Sequence, residues 1–220
     1  MSQIPNFPQD LLDQHHKWHE PLSHPELPPS RLHKAGERDS GTEFLTFHRD
    51  FMAQVMAWYN TTAFTTDPFD QPAAKASLVA PWTVVPPEIR ALDEWARWKD
   101  DAARLDSAIT PGPTRPSDFE SRDSLGIFIE TNIHNQFLHA AAADAYGEEL
   151  VRSPHTSPGS TLFYKIHGLV QHWASIWARR YAMRGSPSPV FDPSPPIARG
   201  DFAPRSPVYN PNNRPGRARG

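Results

Sequence analysis

The stretch Thr161-Leu-Phe-Tyr-Lys-Ile-His-Gly-Leu-Val-Gln-His-Trp-Ala-Ser-Ile-Trp177 decides the fold class. Its apolar residues, Leu162, Phe163, Ile166, Leu169, Val170, Trp173, Ile176 and Trp177, recur at intervals of three and four. That is the period of one face of an α-helix, not the alternation of a strand. Ser160 or Thr161 is placed to cap the start, and the pattern runs to about Met183. His167 falls beside this apolar face, between Ile166 and Leu169.

Three further segments toward the N-terminus carry the same period with almost no proline. Residues Glu43–Tyr59 place Phe44, Phe47, Phe51, Met52, Val55 and Tyr59 on one stripe. In Pro87–Arg104 the proline suits a first turn, and Ile89, Leu92 and Trp95 mark a face. Residues from about Ser124 to Tyr146 carry Phe128, Ile129, Ile133 and Phe137. A short helix is expected near Asp10–Trp18. No pair of alternating strands and no internal repeat stands out. The expectation is a mainly α protein, a four-helix bundle core with long loops and extended Pro-rich ends.

Composition sets the outer limits. The 220 residues include 25 Pro, 11 His, 7 Trp and no Cys. Without cysteine there is no disulfide framework, zinc ribbon, iron–sulfur cluster or thiol nucleophile. A net charge of −3 gives no electrostatic reason to expect a nucleic acid or an anionic membrane as partner. No apolar run approaches the ~20 residues that span a bilayer. The first residues lack the basic-then-apolar layout of a signal peptide, so a cytoplasmic protein is expected. Prolines crowd residues 187–220, and a proline lacks the N–H that a helix needs. The chain therefore divides into a helical domain over 1–184 and an extended Pro-rich tail over 185–220. Phe191, Phe202 and Tyr209 are the tail's candidate contacts with the domain, and the tail is the candidate docking segment for a protein partner.

The histidines carry the chemistry. His48, His134 and His167 each lie next to the apolar face of their own helix. Burying such rings without partners costs roughly 1–3 kcal/mol each, a cost that a metal held between facing helices removes. Imidazole suits copper, zinc, iron and nickel, and the lack of thiolate moves the balance toward copper or iron. His15 and His19 are four apart, a chelating geometry if that segment is helical. His134 and His139 are five apart, which on a regular α-helix separates them by ~140°. Either a local π-bulge brings the two together, or only one of them binds.

Two stretches resemble the type-3 copper proteins, the tyrosinase and hemocyanin superfamily. Phe44-Leu-Thr-Phe-His48-Arg49 is similar to that family's first-copper signature, with Phe47 in the usual Trp place. His134-Asn135 followed by Phe163-Tyr-Lys-Ile-His167 is similar to its second-copper pattern. The resemblance implies that His48, His134 and His167 are copper ligands. It also implies that Phe163 is the residue over the copper and that Asn135 positions a water.

The departures are specific. Nine residues before His48, where the family keeps a first-copper His, stands Asp39. Four after His134 stands Leu138, with His139 one step later, and Gln171 replaces an expected Asp. His15, His16, His19 and His24 all compete for the remaining first-copper position. Three readings follow: a dinuclear site with Asp39 as an unusual ligand, a single copper on the second site, or a relic holding none.

The resemblance implies a copper oxidoreductase, with monooxygenase or oxidase chemistry, acting with O2 on phenols or o-diphenols. A negative, harder Asp39 ligand would favour Cu(II) and weaken that activity. The alternative is a non-enzymatic module that binds copper, O2 or a partner and has lost part of its first copper site.

Overall fold

The computed structural model describes residues 3–28, 30–109 and 119–183. The Pro-rich tail, with Phe191, Phe202 and Tyr209, lies outside them. The described chain is mainly helical. Its helices are α1 (Gln9–His19), α2 (Ser40–Thr61), α3 (Pro72–Leu78), α4 (Pro87–Arg90), α5 (Trp95–Ile109), α6 (Arg122–Phe128), α7 (His139–Tyr146) and α8 (Thr161–Met183). A π-helical segment, Ile129–Leu138, joins α6 to α7, so residues 122–146 form one rod. Short 3₁₀ turns at Glu149–Arg152 and Ser157–Gly159 lead into α8. Among the described residues the only bridge outside helices pairs Gln3 with Ser160. No described helix is long and apolar enough to cross a membrane.

The rod starts at a capping box: Ser124 N–H donates to Ser121 Oγ at 3.0 Å, and Ser121 N–H donates to Ser124 Oγ at 3.1 Å. The same turn caps α2. Asp39 precedes that helix with a left-handed φ of 69° and offers no side-chain cap of its own. The Asp123 carboxylate takes its place, accepting from the N–H groups of Asp39, Gly41 and Thr42 at 2.8, 2.9 and 3.0 Å. A carboxylate at a helix N-terminus is also favoured by the helix dipole. Such close docking depends on two glycines. A Cβ on Gly41 would lie 2.1 Å from Asp123 O, and one on Gly126 would lie 2.1 Å from Gly41 O.

The N-terminal segment is clasped onto this frame. Trp18 is fully buried, stacks on Phe47 at 4.7 Å, and carries the Arg31 guanidinium 4.4 Å from its ring centre. Arg31 Nη1 pairs with the fully buried Glu130 at 2.8 Å. Burial raises the Glu130 pKa, and Arg31 opposes that shift.

Two apolar clusters result. One joins Trp18, Phe44, Ile133, Leu138, Ile166 and Trp173; the other joins Phe51, Val55, Tyr59, Phe163 and Tyr164. Histidines occupy their junction: His48 packs on Phe44 and Trp18 of the first, His15 on Phe51 and Phe163 of the second.

Two expectations need correction. The helix expected over Pro87–Arg104 is two helices, because residues 89–95 form turns bonded three apart (Leu92 N–H to Ile89 O, Trp95 N–H to Leu92 O). The break leaves Ile89 buried and sets Trp95 and Trp98 against Phe137. Helix α3 was not expected. It is seven residues long and buries none of them, so it has no apolar period to read.

Candidate metal centre

Six of the eleven histidines converge: His15 and His19 from α1, His48 from α2, His134 from the π segment, His139 from the start of α7 and His167 from α8. Nitrogens of His15, His19 and His48 lie within 4.8 Å of one another, and so do those of His48, His134 and His167. His139 Nε2 lies 3.0 Å from His134 Nε2. His15, His48, His134 and His167 are 0–2% exposed, while His19 and His139 are partly exposed.

The ring orientations are fixed from behind. His15 Nδ1 donates to Pro154 O at 2.7 Å, His48 Nδ1 to Phe44 O at 3.0 Å and His139 Nδ1 to Val151 O at 2.7 Å. His167 Nδ1 donates to Phe163 O at 2.9 Å, and His134 Nδ1 to Asn135 Oδ1 at 2.7 Å. A carbonyl oxygen can only accept, so these five rings carry their proton on Nδ1. Each Nε2 is left with a bare lone pair turned inward, the arrangement found behind metal-ligating imidazoles.

The inward side of these five rings has no proton to share. His134 Nε2 lies 2.9 Å from His167 Nε2 and 3.0 Å from His139 Nε2, acceptor against acceptor. The Nε2 atoms of His15, His19 and His48 are buried without any hydrogen-bond partner. An added proton is not the answer, because burial lowers the pKa of all six rings, with the neighbouring histidines adding to the effect for several of them. His15 falls to about 3 and His139 to about 4; His19, His48, His134 and His167 are held well below the ordinary value. A tetrahedral ion with nitrogen bonds of ~2.0–2.1 Å holds its ligand nitrogens about 3.3 Å apart. The donor set could therefore hold a metal ion, and an all-imidazole set suits zinc, copper, iron and nickel alike.

Of the candidates read from the sequence, His15, His19, His48, His134, His139 and His167 meet here; His16 and His24, bonded to each other, do not, and neither does Asp39. It stands at the far end of α2, nine residues before His48 or ~13 Å along a helix axis. There its side chain is 62% exposed and faces Arg38. Phe163 is buried, its ring 3.9 Å from that of His167 and 5.0 Å from that of His15, so it touches both halves of the cluster. Asn135 is exposed and serves His134. Arg49 is half-buried and pairs with Asp50. His33 lies apart, on Glu43. Sequence reasoning missed the carbonyls of Phe44, Val151 and Pro154, because a backbone acceptor leaves no mark on residue identity. Compared with protein-family models, with characterised proteins and with solved structures, the chain matches none.

Proposed function

We propose that this chain is a type-3 copper protein of the tyrosinase kind, a helical bundle that holds two copper ions and oxidises phenols or o-diphenols with O2. One observation carries the reading: six imidazoles converge, five of them with Nδ1 tied to an oxygen, and the Nε2 atoms of His15, His19 and His48 are buried without a hydrogen-bond partner among the described residues. His15, His19 and His48 would hold one ion, and His134, His139 and His167 the other. A copper pair held in this way supplies the electron-transfer chemistry that phenol oxidation by O2 requires.

The chain's own residues do the rest. The oxygens behind five of the rings fix their Nε2 atoms in advance, so little ordering of those rings is needed when metal binds. Phe44, Phe51, Phe163 and Trp18 wall the cluster with apolar surface and exclude water. The partly exposed His19 and His139 mark the side from which a phenol reaches the metal. With Asp39 outside and His15 and His19 inside, the donors are all neutral, so the weakened activity expected from a carboxylate ligand has no structural basis.

The near-complete burial of the other four rings favours a second reading, a copper module that binds O2 without oxidising a phenol. Oxygen uptake by copper-loaded protein given a catechol separates the two. Uptake lost in His48→Ala supports the oxidase. Copper bound without catechol oxidation supports the module. Absence of copper binding rejects both.

A further inference from the structure

Helix α1 brings two of the six histidines, and its last residue is His19. Among the described residues, His19 is the one ring of the six with no oxygen behind it. The hydrogen bonds of the turn that follows, residues 20–27, run within the turn or back to α1. What holds the end of α1 is the residue before His19. Trp18 is fully buried and stacked on Phe47 at 4.7 Å. Its ring stands edge-on to those of His19 and His48, 4.8 Å from each.

Arg31 lies over the same indole, its guanidinium carbon 4.4 Å from the ring centre. Its Nη1 pairs with Glu130 at 2.8 Å, and the two side chains are only 8% and 0% exposed. Its Nε donates to His33 O at 2.6 Å. The backbone N–H groups of Leu32 and His33 donate in turn to the Glu43 carboxylate of α2, at 2.5 and 3.0 Å. Glu130 belongs to the π segment, four residues before His134. One guanidinium is thus bound, directly or through its own strap of residues 31–33, to α1, α2 and the π segment, the elements that carry His19, His48 and His134. A guanidinium can do this because its flat face lies on an indole while its edge pairs with a carboxylate.

We propose that Arg31 and Glu130 are positioning residues: their ion pair locks Trp18, and with it His19, in the register at which His15, His19 and His48 close round one ion. A buried ion pair is a poor source of stability, since desolvation offsets the attraction, but a shifted register would leave two charges buried apart. That the ion is copper rests on the function proposed above; the locking of α1 does not.

The test replaces the pair by apolar side chains, Arg31→Met together with Glu130→Leu. Such paired replacements are often neutral for folding, and far-UV circular dichroism with a urea midpoint checks this one. Two further measurements read position rather than stability. Amide hydrogen exchange of metal-free protein should show α1 exchanging at least tenfold faster, with α8 unchanged. Competition titration with Cu(I) should show one of two ions bound at least tenfold more weakly and the other unchanged, the size expected when a ligand loses its orientation. Glu130→Gln, close to isosteric, repeats both measurements and decides the matter if the double variant does not fold. Unchanged exchange of α1 overturns the proposal, and so do two ions bound with unchanged affinity. Intact protein that binds no copper overturns the function proposed above and leaves α1 exchange to decide the role of the pair.

Discussion

His139 Nε2 lies 3.0 Å from His134 Nε2 although the two residues are five apart, because the intervening helix is wound as a π-helix. Bonding five apart brings residues i and i+5 onto one face, as bonding four apart does for i and i+4 in an α-helix. The extra residue is what lets His139 rejoin the cluster that Leu138 would otherwise occupy.

Helix winding therefore sets metal affinity. Inserting one alanine after the exposed Gln136 puts the two histidines six apart, a spacing that neither winding brings together. Copper affinity should fall at least tenfold, a drop of the size seen when a metal site loses a ligand's orientation. Deleting Gln136 restores a four-residue spacing on an ordinary helix and should keep most of the binding. Competition titration with a copper chelator reads both, and equal affinity in the insertion variant would count against the geometry.

The crossing of α2 and α6 should be intolerant of any side chain. In Gly41→Ala and Gly126→Ala the new Cβ meets backbone atoms at 2.1 Å, and neither helix can give way without releasing the Asp123 cap. Overpacking of this kind costs typically ~1–3 kcal/mol, and loss of the cap adds ~1 kcal/mol. Urea unfolding should show both variants destabilised by about 2 kcal/mol or more. Gly147→Ala is a useful comparison: it has open space around it and carries only the strain of a positive φ.

Acid should weaken the metal-free protein early. In the unfolded chain a histidine takes up its proton near pH 6.5. In the folded chain burial delays that step to about 4 for His139, about 3 for His15 and well below the ordinary value for the other four. Between these limits the unfolded state binds more protons than the folded one, so stability falls as pH falls. Each imidazole contributes a slope of up to ~1.36 kcal/mol per pH unit. Denaturant unfolding at pH 7.5 and pH 5.5 should show a loss of several kcal/mol in metal-free protein. Equal stability at the two values would mean that the rings are not buried and neutral.

The helices were readable wherever an apolar stripe was long enough. Trp173 and Ile166 mark α8, and Phe44 to Tyr59 mark α2, each within a few residues of its true ends. The alternative posed by His134 and His139 was also readable, since only a π-turn could unite them. Spacing could not choose between Asp39 and the pair His15 and His19. A family pattern pointed to position 39, but in this fold that position is the start of α2, held by Asp123 from another helix. Contacts between segments distant in sequence, such as Arg31 with Glu130 or His15 with the Pro154 carbonyl, depend on the folded path and have no local signature.

The central claim, that these imidazoles hold a pair of copper ions, is tested most directly by anaerobic Cu(I) titration against a competing chelator. Two ions should bind per chain. Because His48 belongs to both close groups of nitrogens, His48→Ala should weaken at least one ion tenfold or more. Failure to take copper from the chelator, or an unchanged titration in the His48→Ala protein, would contradict the claim.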